Sequence, residues 1–373
     1  MTRLSFKTIG LLALPLIASA SIQAQTVTDP VGVVKITIAA AAAADNPTYS
    51  FLSTSMSQEV AYQGVVDSGG TGTITIGSDD WTVNQFNGVP HYAIVASGTR
   101  EGEILDIASN TVNTLTLSGG PASEDQSGLA GETIRIHKHN TIASIFGTNH
   151  NPSSGTVQAG NRDTADQIQL YNPIQKKFET YYFNTEQYVG PIPGRTYHIG
   201  WVRSDAREND ASNIPIYPDD GFIYKRVNHV SGFSLSVSGN VITNNIKVPV
   251  INGYNLITIP YPVDKSITLA TSGLRPENDV DFDVNKHLIA GSRSTADQVI
   301  LYNAVSKQYE TYYYNNEPYV GPIPGRTYHQ GWVNSSAREN DAASTVIPAG
   351  RAIFILRREG SPAFNWEFNN VTQ

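Results

Sequence analysis

The sequence predicts an all-β protein made of two tandem, related β-sandwich or barrel-like modules, with a small barrel-like β-domain inserted in the first. Three observations predict this fold class. Short segments with alternating apolar residues recur along the chain, and turns rich in Gly, Ser, Asn and Pro separate them. Helical periodicity is nearly absent. An eleven-residue block, Tyr188–His198, recurs letter for letter as Tyr319–His329.

The repeat extends well beyond this block. Thr164–Gln167 matches Thr295–Gln298, and Ala206–Asp210 matches Ala337–Asp341, at a constant offset of 131 positions (297 − 166). Solenoid repeats span only about 20–50 residues, so this period indicates a duplicated domain.

The two copies differ in length, which predicts the insert. The opening strand of the second copy, Gly253–Pro260, lies close to its repeat signature, whereas the similar strand Val34–Ile38 lies about ninety residues further upstream of its own signature. The expected organisation is a signal peptide (1–25), a first module (26–50 and 141–229), an inserted β-domain (51–140), a linker hairpin (230–247), a second module (248–359) and a C-terminal tail (360–373).

The first 25 residues have the pattern of a secretory signal. Arg3 and Lys7 precede the short apolar run Ile9–Ile17, and either Ala18–Ala20 or Ile22–Ala24 offers a small-residue cleavage site. A membrane anchor needs about 20 apolar residues, and this run is shorter and contains Pro15. We therefore expect a secreted or cell-surface protein without a membrane span.

Composition excludes several classes of function. The chain of 373 residues has a formal net charge of −8 and no cysteine. An acidic chain without a basic stripe does not suit nucleic-acid binding. Without cysteine there are no disulfides, no thiolate metal sites and no thiol catalysis. No phosphate-binding loop, Gly-x-Ser-x-Gly or His-Glu-x-x-His motif occurs, and we expect no enzyme activity and no organic cofactor.

The repeated loops carry the main candidate site residues. A lyase acting on acidic sugars would use Tyr or His as base and acid, with Arg neutralising a carboxylate. The structural alternative is a rigid Pro-Ile-Pro-Gly turn in which Arg195 pairs with Glu208 or Asp210. The candidates in the two copies are Arg195, Tyr197, His198, Arg326, Tyr328 and His329.

Aromatic side chains form a second candidate surface. Tyrosines follow one another on two predicted strands, so alternate rings should face opposite sides of the sheet. An outward row would stack on sugars or seal an interface, and the alternative is ordinary cross-strand packing. The binding candidates here are Tyr182, Tyr313, Trp201 and Trp332.

One acidic segment is a candidate calcium site. Asp279, Asp281 and Asp283 alternate, so in an extended chain their oxygens would share one face, as Ca²⁺ requires. The spacing fails the helix-loop-helix calcium pattern, and the alternative is a solvated loop. His137 and His139 also share a strand face, but the sequence shows no third zinc ligand.

The order of short signatures resembles a family of uncharacterised secreted bacterial β-proteins. Each copy contains Ala-Asp-Gln, Thr-Tyr-Tyr, Gly-Trp and Asn-Asp-Ala, then a final strand ending in basic residues. Gly253–Pro260 is also similar to the opening strand of modules in bacterial cell-surface proteins. The first copy departs from the pattern at Asp219–Asp220, where Pro-Gly is typical. The resemblance implies export and a β-fold but no reaction.

The leading functional hypothesis is therefore a secreted structural or adhesive protein that acts through its module surfaces. Two similar faces allow bivalent attachment or self-assembly into an oligomer or a fibre. The alternatives are binding of an extracellular polysaccharide and, third, a polysaccharide lyase.

Overall fold

The computed structural model describes residues 30–41, 46–77, 81–119, 124–150, 156–227, 229, 231–260, 267–276, 279–348 and 350–368. The predicted signal peptide (1–25) lies outside the described residues. The described chain is all β and sandwich-like, which confirms the predicted fold class. Among these residues no helix has the length and apolar character needed to cross a membrane.

The insert is one seven-stranded antiparallel sheet with the order β4-β10-β7-β8-β9-β6-β5. Its two edge strands, β4 and β5, are joined by only two residues, Val66 and Asp67, so the sheet must curl to bring them together. The side chains inside the curl form a core that includes Ile74, Leu115 and Ile134. Among the described residues no ladder joins β4 to β5, so the sheet is open. The first ten strands of the chain are β1 (Val31–Ile38), β2 (Thr48–Ser53), β3 (Met56–Ser57), β4 (Val60–Val65), β5 (Ser68–Gly70), β6 (Thr73–Thr75), β7 (His91–Val95), β8 (Ile104–Asn110), β9 (Thr114–Ser118) and β10 (Thr133–Lys138).

The first module packs a three-stranded sheet (β1-β17-β3) on a five-stranded sheet (β14-β13-β12-β16-β2). Ile38, Trp201 and Phe222 are among the side chains of its core. The capping box of Thr141 and Ser144 begins helix α1. Its remaining elements are β11 (Asn140–Thr141), α1 (Ile142–Phe146), β12 (Gln167–Asn172), β13 (Lys177–Asn184), β14 (Gly200–Arg203), β15 (Pro215–Ile216), β16 (Gly221–Arg226) and β17 (Phe233–Val241).

The second module repeats this arrangement with a two-stranded sheet (β18-β26) and a five-stranded sheet (β23-β22-β21-β25-β19). Its strands are β18 (Ile246–Val250), β19 (Gly253–Thr258), β20 (Ile267–Thr268), β21 (Gln298–Asn303), β22 (Gln308–Asn315), β23 (Gly331–Asn334), β24 (Val346–Ile347), β25 (Ala352–Arg357) and β26 (Phe364–Phe368).

Strand pairing corrects several expected boundaries. The counterpart of β19 is β2, because both pair with the last strand of their five-stranded sheet, and the counterpart of β1 is β18. The insert therefore begins after β3 rather than at residue 51. The expected linker hairpin supplies β17 to the first module and the start of β18 to the second. Part of the expected tail is β26, whose Trp366 is buried in the second core.

A buried ion pair explains the Ala-Asp-Gln signature and the basic end of the final strand. Asp166 accepts a hydrogen bond from Arg226 at 2.6 Å, and neither side chain is exposed. The Tyr224 hydroxyl and the Val227 amide donate to the same carboxylate. In the second module Asp297 and Arg357 form the equivalent pair at 2.5 Å. Each pair ties the residue before the central strand of a five-stranded sheet (β12 or β21) to the end of the neighbouring strand (β16 or β25), so the signature is structural.

The two modules pack against each other through the outer faces of their five-stranded sheets. Phe51 of the first module contacts the rings of Tyr302, Tyr309 and Phe354 of the second. Phe354 in turn contacts the ring of Tyr171 of the first module. A backbone bridge between Asp220 and Ile257 joins the same two sheets. Each module therefore covers a face that would be exposed in a single copy.

Candidate functional site

The repeated block lies in two long loops, residues 185–199 between β13 and β14 and residues 316–330 between β22 and β23. We call them the Tyr–Arg loops. Their tips project into solvent: Val189 is 96% exposed and Val320 is 91% exposed. Ile192 and Ile323 are each 52% exposed. Apolar side chains exposed to this degree at the same place in both modules contribute little to folding.

Contacts within each loop hold its shape. The Tyr188 hydroxyl accepts a hydrogen bond from the Ile192 amide at 3.2 Å, and its ring meets that of Tyr197 edge-on at 5.1 Å. The turn closes at Gly194, whose φ of +78° suits glycine. The second loop repeats the ring contact between Tyr319 and Tyr328 at 5.0 Å. The two loops are therefore preorganised in the same way.

Arginines cover the base of each loop. The Arg207 guanidinium lies 3.8 Å from the Tyr197 ring centre, and Arg338 lies 3.7 Å from that of Tyr328. This is close cation–π geometry. The Arg207 guanidinium also donates to Asn184, which in turn donates to the His198 carbonyl. The segment that follows β14 therefore braces the loop that precedes it.

Arg195 pairs with Glu208, and Arg326 pairs with Glu339. The hydrogen bond from Arg195 to Glu208 raises the pKa of the arginine and keeps it charged. The sequence allowed Arg195 to pair with Glu208 or with Asp210 in a structural turn, and the partner is Glu208. The charge that a lyase would direct at a uronate is already neutralised by a carboxylate of the chain.

The histidines of the block are half-buried beside carboxylates. His198 Nε2 lies 3.5 Å from Asp210, and His329 Nε2 lies 3.4 Å from Asp341. Burial opposes ionisation of Asp210, but hydrogen bonds from Ser212 and the nearby His198 outweigh it and lower the pKa of Asp210. The imidazole also packs over Gly200, where a Cβ would lie 2.7 Å from Nε2. The histidine thus has a packing role at the loop exit.

The structure corrects the aromatic surface predicted from alternation. Tyr182 and Tyr313 are fully buried, and Trp201 and Trp332 are core residues at 1% and 3% exposure. Tyr182 does face away from Tyr181, as alternation requires, but Ala165 and Val202 pack on it. Both faces of these strands are covered, so none of the four rings can stack on a sugar.

The segment that carries the predicted calcium ligands is not an extended chain. Asp279–Asp281 forms a 3₁₀ turn instead of a strand. Asp283 accepts hydrogen bonds from the backbone and side-chain amides of Asn285, which lower its pKa. Among the described residues no three carboxylate, imidazole or thiol groups gather as metal ligands. The segment is a polar turn, in agreement with the alternative of a solvated loop.

A buried polar cluster lies where the insert meets the first module, and sequence reasoning missed it. Asp106 of the insert accepts hydrogen bonds from His139 at 2.9 Å and from Tyr217 of the first module at 2.6 Å. The ring of Tyr92 packs 4.7 Å from His139. His137, the other histidine of the predicted pair, also stacks on the Tyr92 ring, at 5.4 Å. The two histidines therefore serve the domain junction rather than a metal.

Asp219 and Asp220 add two acidic groups to this junction. Burial raises the pKa of Asp219 to about 6, and the charge of Asp106 adds to the effect. Burial and the neighbouring Asp219 raise the pKa of Asp220 well above its usual value. The sequence signal for this cluster is the departure from Pro-Gly at these two positions in the first copy.

The two Tyr–Arg loops are therefore the candidate site, with exposed apolar tips above a braced aromatic and arginine base. No known protein family, curated protein or solved structure matches this chain.

Proposed function

We propose that the chain is an exported structural or adhesive protein that attaches to extracellular surfaces through its two Tyr–Arg loops. The observation that carries the proposal is the nearly complete exposure of Val189 and Val320 at the tips of two loops with the same internal contacts. Removing one such side chain from water contributes about 1.5–3 kcal/mol.

Preorganisation supports binding by these loops. The tyrosine pair and the stacked arginine fix each loop before a partner arrives. A loop that is already ordered loses little conformational entropy on binding. The apolar tip can then bury contact area on a partner with little loss of conformational entropy.

The joint between the modules supports bivalency. Phe51 and Phe354 lie at the centre of the contact between the two five-stranded sheets, so the two loops belong to one packed unit. A fixed spacing makes the second attachment effectively intramolecular. Weak single contacts can then add up to firm attachment.

The half-buried pair Tyr188 and Tyr197 favours carbohydrate binding as a second candidate, since aromatic rings beside arginines suit sugars. One face of Tyr197 already carries Arg207, which reduces the area open to a sugar. The lyase alternative rests on His198 beside Asp210 and is disfavoured because Glu208 neutralises Arg195.

Co-sedimentation of the mature chain with envelope fragments and secreted polymer of the source cells tests the proposal. The double variant Val189→Asp/Val320→Asp should lose binding, and each single variant should bind with intermediate affinity because bivalency is lost. Val305→Asp is the matched control, since Val305 is 96% exposed in a hairpin turn outside the loops. Binding that is absent in the wild type, or unchanged in the double variant, would reject attachment through the loops.

A glycan array distinguishes the carbohydrate alternative, and double-bond absorbance on uronate polymers tests the lyase.

A further inference from the structure

Strand β1 has one hydrogen-bonded side. It pairs with β17 over its whole length, from Val31 opposite Asn240 to Ile38 opposite Phe233. Among the described residues no ladder forms on its other side. The Val241 amide donates to the Pro30 carbonyl. Because alternate residues of an antiparallel strand bond to its neighbour, the even-numbered residues of β1 are the ones whose backbone groups bond to β17. The N–H and C=O groups of Val31, Val33, Lys35 and Thr37 therefore point to the free edge.

This edge lacks the features that protect five other sheet edges of the described chain. Strands β14 and β23 are four residues long, β5 is three and β3 is two. The ladder of strand β4 is interrupted by a register shift. In contrast, β1 has eight residues in unbroken register and contains no proline. Long, regular edges of this kind pair with further strands.

The side chains along the edge are also open to a partner. Val31 is 74% exposed and Val33 is 62% exposed. Lys35 supplies the single charge of the strand. One lysine weakens pairing between strands but does not prevent it when a different residue lies opposite.

The equivalent strand of the second module shows how this edge is used. Lys247 of β18 occupies the place of Lys35, since their ladder partners Glu367 and Ser236 lie 131 positions apart (367 − 236). The Lys247 amide donates to the Gly102 carbonyl of the insert at 3.0 Å. Pro249 further limits the β18 edge to short contacts. The same position in the fold thus binds backbone from a neighbouring segment when one is present.

We propose that β1 is the interface between two copies of this chain, with the two β1 strands antiparallel and centred on Val34. In this register Val33 lies opposite Lys35 of the second copy and Val31 lies opposite Thr37, so the lysines are separated. Four outward residues on each strand form about eight backbone hydrogen bonds. The two three-stranded sheets then become one continuous sheet. This interface is separate from the Tyr–Arg loops and goes beyond attachment through them.

Sedimentation equilibrium of the mature chain tests the interface. We expect a monomer–dimer equilibrium with a dissociation constant between about 1 µM and about 1 mM, typical of a small interface. Val33→Pro removes an outward N–H without removing a bond to β17, and Val33→Lys keeps the N–H but places two ammonium groups opposite each other. Both should weaken dimerisation at least about tenfold, a loss of the size that one such contact carries. Val305→Lys, the same change at a 96% exposed valine outside β1, should leave it unchanged.

Hydrogen–deuterium exchange identifies the strand involved. In the wild type the β1 amides should exchange more slowly at concentrations where the dimer dominates. A wild-type chain that remains monomeric up to about 1 mM, a dimer unaffected by both Val33 variants, or β1 exchange that does not depend on concentration would overturn the inference. Since the Val33 variants leave the loops intact, they should still bind envelope fragments as monomers. Failure of the β1 interface is therefore distinguishable from failure of loop attachment.

Discussion

Replacing Asp219 by Asn should stabilise the folded chain at neutral pH and leave it nearly unchanged in acid. Burial raises the pKa of Asp219 from 3.8 to about 6. The folded chain therefore binds this proton more tightly than the unfolded chain does. The resulting stability is present below pH 3.8 and is lost as pH rises through about 6. A shift of about two pKa units corresponds to about 3 kcal/mol.

The groups around Asp219 explain why its charge is disfavoured. Asp220 and Asp106 are the neighbouring carboxyl groups. Tyr92 faces Asp219 from the insert, and the pKa of Tyr92 is raised by burial and by this carboxylate. The Oδ1 atom of Asp219 has no hydrogen-bond partner among the described residues. Asparagine keeps the shape and removes the charge, so the variant should gain about 3 kcal/mol at pH 7 relative to the wild type.

Urea titrations at pH values from about 4 to about 7 measure the effect. The difference in unfolding free energy between Asp219→Asn and the wild type should grow by about 2.4 kcal/mol across this range, because about 0.6 kcal/mol of the effect is already present at about pH 4. Asp163→Asn is the control, because the Asp163 side chain is 85% exposed. A difference that stays constant with pH would refute the reasoning, since it would mean that Asp219 titrates alike in the folded and unfolded chains.

Three further substitutions test the architecture. Asp166→Ala should lower the unfolding free energy by about 3–5 kcal/mol, because it leaves Arg226 buried without its carboxylate; a urea-measured loss below about 1 kcal/mol would contradict this. Gly200→Ala should destabilise by about 1–3 kcal/mol, since φ is +139° and the new Cβ meets the His198 ring; an unchanged melting curve would argue against that contact. Phe51→Ala should separate the unfolding of the two modules in calorimetry, because it removes the central ring of their contact; a single retained transition would show that other contacts couple them.

The fold class could be predicted from the sequence because two signals are visible in it: apolar residues that alternate with a period of two, and a long internal repeat. The internal alignment could not be predicted fully. Val34–Ile38 resembles β19 in composition but occupies the place of β18, and only strand pairing separates these assignments. For the same reason the sequence predicts a C-terminal tail at Trp366, since it does not show that the strand of Trp366 pairs with β18. Local pattern identifies a strand without identifying its neighbour.

The candidate site was predicted in part. The sequence identified both Tyr–Arg loops, since the repeat contains them whole. It could not show that Tyr182 and Tyr313 are covered, because alternation gives the side of a sheet and not what packs on it. It also missed the junction around Asp106, whose partners His139 and Tyr217 lie 33 and 111 positions away in the chain. Contacts of that range leave no periodic signal.

The register of the terminal strands has a mechanical consequence. The chain enters the first module through β1 and leaves it through β17, and it enters the second through β18 and leaves it through β26. Val31 lies opposite Asn240, and Ile246 lies opposite Phe368. In each module a pulling force therefore acts on both strands at the same end of their ladder. Tension applied between residues 31 and 368 peels these hydrogen bonds one pair after another instead of shearing them together. The chain is therefore weak when stretched by its ends. A load carried through the loops enters the five-stranded sheets instead and bypasses these ladders.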